Sequence, residues 1–328
     1  MVKIDIHNHF FPSAYVDDVE ANPGVATVTR TAEGHRHLNY SGDYNVIADG
    51  HTSLQARILE MDKAGIDMQV LTLTTPGPHV ESPERGVHLA QLVNNELASA
   101  VSQHPSRFVA MATLPMQDPD ASVAELERAV KDLGLRGAMV FSNVNEKPLW
   151  ASEFWPIWAK AEELEVPILI HPTSPAPIPS GMEEFRLVPL IGFCADTTVA
   201  ASGMVFSGLM DEFPRLRIVL SHLGGTIAYL AERIERGWAI YDESRERVKG
   251  NPIDYFKRMW VDTVSFSTHA LMCAYEFHGP DYMMLGSDYP HQIGDLHRCV
   301  PAIEALDIPD EEKERIYGLN ARQVFGIE

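Results

Sequence analysis

Val2-Lys3-Ile4-Asp5-Ile6-His7-Asn8-His9 opens the chain with a short apolar strand that runs into two histidines. In extended backbone the side chains repeat every second residue, so His7 and His9 point to one face. Further short apolar runs follow at residues 68–73, 108–114, 137–142, 167–171, 218–222, 259–263 and 282–287. Most are near-continuous in hydrophobicity, the mark of strands buried on both faces of a parallel sheet. Amphipathic stretches alternate with them at residues 54–64, 83–104, 121–133, 154–164, 197–210, 227–238, 268–277 and 296–306. This alternation predicts an α/β fold, a single (β/α)8 TIM-type barrel with His7 and His9 facing its interior. The 328 residues exceed the usual domain size of roughly 100–150. One barrel with insertions takes about 250 residues or more, so residues 1–328 are expected to form one domain.

Local signals mark the helix boundaries. Thr52-Ser53 and Asp118-Pro119-Asp120 precede helical stretches, while Gly65 and Gly134 stand where helices end. The segment from Phe10 to Gly50 fits neither period. It is expected to be an insertion after the first strand, residues 11–50, lying at the catalytic face as a lid or substrate-binding excursion. Residues 174–190, rich in Pro and Ser, form a second irregular loop after the fifth strand.

With 26 basic and 46 acidic side chains the net charge is −20. Nucleic acid and anionic membranes both reward clustered Lys and Arg, so neither is an expected partner. Cys194, Cys273 and Cys299 are widely spaced and odd in number, which fits a reducing, cytoplasmic compartment better than a disulfide framework. No signal-peptide core precedes the first strand, and the apolar runs fall short of the roughly 20 residues that a membrane span requires. A cytoplasmic protein is expected.

The chemistry gathers at strand ends. The fifth strand ends at His171, the sixth at His222, and the eighth at Asp288 within Gly286-Ser287-Asp288-Tyr289-Pro290. In a barrel, residues at the carboxyl ends of different strands face one pocket, where such enzymes place catalysis. Taken singly, a His-x-His pair is usually a surface coincidence, and Asp before Tyr-Pro is a plausible turn opener. Four strand ends carrying such groups together predict a metal site. The remaining histidines, among them His51, His79 and His278, default to loops or solvated faces.

Four motifs carry a family resemblance: Asp5-Ile6-His7-Asn8-His9, Ile170-His171-Pro172, Ser221-His222-Leu223-Gly224-Gly225 and Leu285-Gly286-Ser287-Asp288-Tyr289-Pro290. They resemble the amidohydrolase superfamily and, within it, the decarboxylase branch of 2-amino-3-carboxymuconate-6-semialdehyde decarboxylase type. Leu92-Val93-Asn94-Asn95-Glu96, Arg107-Phe108-Val109 and Asp196-Thr197-Thr198 extend the similarity along the chain, and only the insertion departs from it strongly. The resemblance implies that His7, His9, His171 and Asp288 ligate one divalent metal. It implies that His222 stands beside the metal-bound water as general acid/base, with Asp288 sharing the catalytic work. Having His at both positions 7 and 9 resembles the zinc-type members, manganese being the second option. Three imidazoles and one carboxylate are also a donor set suited to Zn²⁺.

The implied reaction is non-oxidative decarboxylation of a small carboxylic acid, a carboxylated muconate semialdehyde or a related acid of aromatic catabolism. The alternative is a hydrolase or hydratase of the same superfamily, acting on a ring-cleavage product, lactone or amide. Ser142-Asn143-Val144 offers no Lys after the fourth strand, against a two-metal hydrolase. Leu38 occupies the place of the family's substrate-binding Arg, with Arg36 two residues away. Arg186 is a candidate replacement cation, and His291 stands where the family has Phe after Tyr-Pro, so both are assigned to substrate binding. A homodimer is implied, with Arg233 near its interface.

Overall fold

A computed structural model describes residues 2–40, 43–175 and 177–328. Met1 of the expected domain, Ser41 and Gly42 of the expected insertion, and Ala176 of the loop after the fifth strand lie outside the described residues. Strand β1 (Ile4–His9) is followed by helix Ser13–Ala21 and by β2 (Thr27–Arg30), β3 (Arg36–Tyr40) and β4 (Asp43–Val46). Next come β5 (Met68–Thr72), β6 (Phe108–Ala110), β7 (Ala112–Thr113) and β8 (Ala138–Phe141). A small hairpin, β9 (Asn143–Val144) with β10 (Lys147–Pro148), precedes β11 (Pro167–His171), β12 (Arg217–Leu220), β13 (Trp260–Asp262) and β14 (Met283–Met284).

Each apolar run read from the sequence therefore holds a strand, the third divided in two. The parallel order is β1-β5-β6 in one sheet and β7-β8-β11-β12-β13-β14 in the other. The break at Met111 hands one extended run from neighbour to neighbour. Met111 N–H donates to Leu71 O at 3.0 Å, and Ala112 N–H donates to Gly137 O at 2.8 Å. At the far edge Ile6 N–H donates to Leu285 O at 2.8 Å, and His9 N–H donates to Tyr289 O at 2.7 Å. The first strand thus bonds both to β5 and to the segment that follows β14.

Side chains on the parallel strands divide between two cores. Ile4, Ile6, Val70, Met139, Leu169, Val219 and Met284 pack with one another and are plugged by Val324 and Phe325 of the last helix. Leu71, Val140, Ile168, Ile170, Ile218, Leu220 and Val261 pack instead against the helices. Both faces are buried, which is why these strands lack polar alternation.

One irregularity sets the functional face. β1 shifts register against β5 between Asp5 and Asn8. In an unbroken strand Ile4 and Ile6 would face away from His7 and His9, because side chains alternate. An extra residue on one strand reverses that parity. Ile6 can then fill the inner core while the next residue, His7, begins the polar site on the same side.

Two expectations need correction. The segment after β1 is not irregular: helix Ser13–Ala21 buries Tyr15, Val16 and Val19, and β2-β3-β4 form an antiparallel meander anchored by buried Leu38. Its strands are too short, and too polar on their open face, to show a period in the sequence. The helical run Val188–Phe206 is also long and apolar enough by length and composition to cross a membrane, contrary to the reading of short runs. Here Ala200, Ala201, Met204 and Val205 are buried in the fold, so its apolar surface serves the core. The caps follow the sequence. Ser53 Oγ accepts from Ala56 N–H at 3.2 Å, and Asp118 Oδ1 accepts from Ala121 N–H at 3.1 Å.

His51, His79 and His278 are buried rather than solvated. Burial pushes His79 and His278 down to about 4. Below the ordinary value of 6.5 the unfolded chain protonates these imidazoles while the folded chain does not. Stability is therefore lost as pH falls from about 6.5 to about 4, by about 3 kcal/mol for each imidazole at the lower limit. Asp5, pushed up to about 6 by burial, works the other way, since its folded state is favoured as pH falls. The informative quantity is thus the difference between variants. We expect wild type to lose more of its urea midpoint between pH 7 and pH 5 than His79→Leu does. Equal losses would remove His79 from the acid response.

Candidate metal centre

Three imidazoles and one carboxylate converge where β1, β11 and the segment after β14 end. His7 Nδ1 meets the Asp262 carboxylate. A carboxylate only accepts, so the imidazole hydrogen sits on Nδ1 and Nε2 keeps its lone pair. His171 Nδ1 lies 2.8 Å from Pro172 O, which fixes the same tautomer. His9 Nδ1 lies 3.5 Å from Thr72 Oγ1, whose own hydrogen is donated to Asn8 O at 2.6 Å, so His9 again presents Nε2 as an acceptor. His7 Nε2 and His9 Nε2 are 3.2 Å apart, and Asp288 Oδ1 is 3.1 Å from His9 Nε2 and 3.4 Å from His7 Nε2. His171 Nε2 is buried and without a hydrogen-bond partner among the described residues.

In these tautomers no hydrogen lies between the converging atoms. Such a cluster of lone pairs is repulsive unless a cation sits among them. A tetrahedral ion with bonds of about 2.0–2.2 Å separates its donors by roughly 3.3–3.6 Å, near the spacings here. The donor set fits a divalent transition metal.

The electrostatics follow the same geometry. Burial drives His171 far below the ordinary imidazole range, assisted by His9, His7 and His222. Burial and then His291 push His9 down. Burial also opposes a charged His7, but Asp262 overrides it and raises the group. Burial would lift Asp288, yet the imidazoles around it, His222 and His9 first, hold it well below the usual carboxylate range.

His222 occupies a separate niche. Its Nε2 is 4.0 Å from Asp288 Oδ2, and its ring centroid is 4.9 Å from that of His7. Donor atoms of His7, His171, His222 and Asp288 lie within 4.8 Å of one another, as do those of His9, Asp288 and His291. By distance alone, His222 and His291 can therefore also reach an ion. The turn carrying His222 is left-handed at His222 (φ 54°) and Leu223 (φ 56°). A side chain at Gly225 would meet Cys194 O at 2.3 Å, so the chain leaves β12 tightly only because that position is Gly.

Asp262, at the end of β13, was not singled out in the sequence. It accepts four donors: His7 Nδ1–H, His222 N–H at 2.9 Å, Leu223 N–H at 3.2 Å and Val264 N–H at 2.8 Å. It fixes the His7 tautomer and holds the His222 turn at once. Its only sequence signal was an acidic residue at the carboxyl end of a strand to which no role had been given. Arg57 was missed as well. It is fully buried, donates to Asn8 Oδ1 at 2.9 Å, Gln69 Oε1 at 2.8 Å and Gly50 O at 2.7 Å, and also reaches His9 O. Burial lowers it to about 10, and this ring of acceptors ties the end of β1 to the segment that follows it.

Above the cluster a cavity of about 250 Å³ is lined by His171, His222, Asp288 and His291, with Tyr40, Asp43 and Arg186 among its other walls. His291 Nε2 is 3.2 Å from Thr74 Oγ1, and its ring centroid is 4.6 Å from that of His9. Arg186 lines the cavity but gives Nη1 to Asp43 Oδ1 at 2.6 Å. Arg36 points elsewhere, donating to Asp17 Oδ1 at 2.7 Å, and Leu38 is buried in the core.

The Amidohydrolase family matches residues 4–327. A 2-amino-3-carboxymuconate-6-semialdehyde decarboxylase of Dictyostelium discoideum is 30% identical over 335 residues, covering 100% of this chain and 92% of its own. A 5-carboxyvanillate decarboxylase from Sphingomonas paucimobilis is similar at a TM-score of 0.88 and 26% identity, with 100% of both chains covered. A dihydroxybenzoic acid decarboxylase from Polaromonas sp., with bound manganese and the inhibitor 2-nitroresorcinol, is similar at a TM-score of 0.82 and 27% identity. That match covers 99% of this chain and 97% of the other.

Proposed function

The chain belongs to the amidohydrolase family, and from that premise we propose that it is a metal-dependent, non-oxidative decarboxylase of a small ring-derived carboxylic acid. The observation that carries this reading is the buried convergence of three imidazole lone pairs and Asp288 at the floor of a cavity that His222 also lines. Relatives across the full length of the chain are decarboxylases of such acids. A closed (β/α)8 barrel fits the bonds from Ile6 and His9 to the segment after β14. In it, the 11–50 segment forms one wall of the cavity through Tyr40 and Asp43.

His7, His9, His171 and Asp288 are the proposed ligands, and His222 is the proposed proton donor. When bound, a divalent ion supplies Lewis-acid stabilisation of the negative charge that builds as carbon dioxide leaves. The bond between the ring carbon and the carboxylate carbon breaks, and its electron pair stays on the ring carbon. Protonated His222 gives its Nε2 hydrogen to that carbon and regains one from water. Asp288, with Oδ2 4.0 Å from His222 Nε2, stabilises the charged imidazole. Pro189, Leu190, Phe193 and Ile293 line the same cavity and give it an apolar side. The ligand set favours zinc by donor chemistry, and manganese is the ion bound in the Polaromonas relative. The same reading has the protein working in the cytoplasm as a homodimer. Cys194, Cys273 and Cys299 are free, and Tyr229, Ile240 and Tyr241 are exposed along helix Ile227–Ile240 and its end.

The test is to incubate metal-replete protein with hydroxybenzoates and carboxylated muconate semialdehydes while following carbon dioxide and ultraviolet absorbance. Carbon dioxide release supports decarboxylation. Absorbance change with water added to the product, and no carbon dioxide, would identify a hydrolase or hydratase instead. For the metal itself, we expect about one equivalent per chain, lost or strongly weakened in His171→Ala. Unchanged stoichiometry and affinity in that variant would remove His171 from the ligand set.

A further inference from the structure

The cavity above the metal centre contains a charge arrangement that bears on which acid it accepts, a question that rests on the decarboxylase reading. Among the described residues, Arg186 is the one Lys or Arg that lines this cavity. Its Nη1 is given to Asp43 Oδ1 at 2.6 Å, and its guanidinium lies over the Tyr44 ring at 4.9 Å. The Asp43 side chain is only 8% exposed. Its Oδ1 also accepts from Tyr44 N–H at 2.8 Å, while its Oδ2 has the Tyr40 hydroxyl 3.5 Å away. The same hydroxyl is also paired with Thr75 Oγ1, at the shorter distance of 2.8 Å.

The pair is neutral as a unit, and it brings together unlike hydrogen-bonding capacities. Asp43 Oδ2 has only the long contact from Tyr40 and can accept a further hydrogen. Arg186 keeps N–H donors beyond the one used on Asp43. A carboxylate brought to this wall satisfies only the arginine, and it meets the charge of Asp43 at close range. A hydroxyl satisfies both, donating to Asp43 and accepting from Arg186. The Arg186 side chain is half exposed while that of Asp43 is sheltered, so the fixed negative charge faces the cavity and discriminates by what it repels.

We propose that Asp43 is a specificity-determining residue. It neutralises Arg186, so that the site selects a ring acid with a single carboxylate, the one that leaves, and a neutral hydroxyl at the Asp43–Arg186 wall. A diacid with its second carboxylate at that wall is disfavoured.

The experiment compares metal-replete wild type, Asp43→Asn and Arg186→Gln on matched 2-hydroxybenzoates carrying either a hydroxyl or a second carboxylate at each free ring position. Two quantities are measured: kcat/KM by carbon dioxide release, and Kd by calorimetry for analogues with nitro in place of the leaving carboxylate. Wild type should favour the best hydroxyl member over the best diacid by about tenfold or more, the scale of one charge-assisted hydrogen bond. Asp43→Asn, with Arg186 set free, should reverse that order, in turnover and in analogue binding alike. Arg186→Gln should weaken the hydroxyl member without any gain for the diacid, and it decides the matter if Asp43→Asn fails to fold. A wild-type preference for diacids, or an unchanged preference in a folded, metal-replete Asp43→Asn, would overturn the proposal. If no acid releases carbon dioxide but the analogues bind in the stated order, the decarboxylase reading fails and the role of Asp43 stands. If carbon dioxide is released but the binding order is reversed, the opposite holds.

Discussion

His222→Asn should keep its metal and its fold while turnover falls by roughly 10²–10⁴-fold, the contribution of one general acid/base. Four observations lead there. The backbone N–H of His222 is anchored to Asp262 at 2.9 Å, so the turn survives a change of side chain. The ring lines the cavity beside His171 and Asp288. Its Nε2 stands 4.0 Å from Asp288 Oδ2, farther than the 3.4 Å of His7 and the 3.1 Å of His9. The tighter cluster of His7, His9 and Asp288 already spaces its donors as an ion requires. Asn keeps the polarity and much of the volume but cannot carry a proton. His7→Ala should instead lose metal and activity together. Metal content, circular dichroism and kcat on both variants decide between the roles. Loss of metal in His222→Asn would make His222 a ligand, as its distance to His7, His171 and Asp288 permits. Full retention of activity would move proton transfer to another group.

The parts of this site that could be read in the sequence are those carried by local patterns. His7 and His9 sit two apart on a strand, while His171 and Asp288 each follow an apolar run, so each signal lies within a few residues of its cause. The parts that could not be read depend on contacts across the fold. The register shift in β1 is a relation between two strands, and no composition within residues 4–9 announces it. Asp43 and Arg186 meet across 143 positions of sequence, so Asp43 looks like a solvated loop residue alone and the candidate cation Arg186 shows no sign of its partner. His51 shows the same limit. Its Nδ1 accepts from Ala48 N–H at 3.1 Å while its ring stacks on Phe11, and nothing nearby in sequence distinguishes it from an exposed histidine. Asp262 is the sharpest case, since its side-chain partner His7 lies 255 residues away.

Asp262→Asn should be the most damaging change outside the proposed ligands and His222, because both carboxylate oxygens are used as acceptors. Oδ2 receives His7 Nδ1–H and His222 N–H, and Oδ1 receives Leu223 N–H and Val264 N–H. An amide keeps one acceptor oxygen and replaces the other with an N–H donor. Whichever way the new amide is turned, its NH2 faces two donors in a fully buried place. A buried donor left unsatisfied costs about 1–3 kcal/mol, so two of them imply a loss of about 2–6 kcal/mol in folding stability. The metal suffers as well. Without the anion opposite Nδ1, His7 loses the partner that fixes its tautomer, and a carboxylate behind a ligating imidazole typically contributes 10–100-fold in metal affinity or activity. Asp262→Glu, which keeps the charge but displaces it by a methylene, should retain more of the metal affinity than Asn while still disturbing the His222 turn. The measurements are competitive metal titration, thermal unfolding of the metal-free proteins, and kcat for any variant that loads. Metal affinity and turnover in Asp262→Asn within threefold of wild type would mean that His7 is oriented by its packing alone and that the carboxylate serves only the turn.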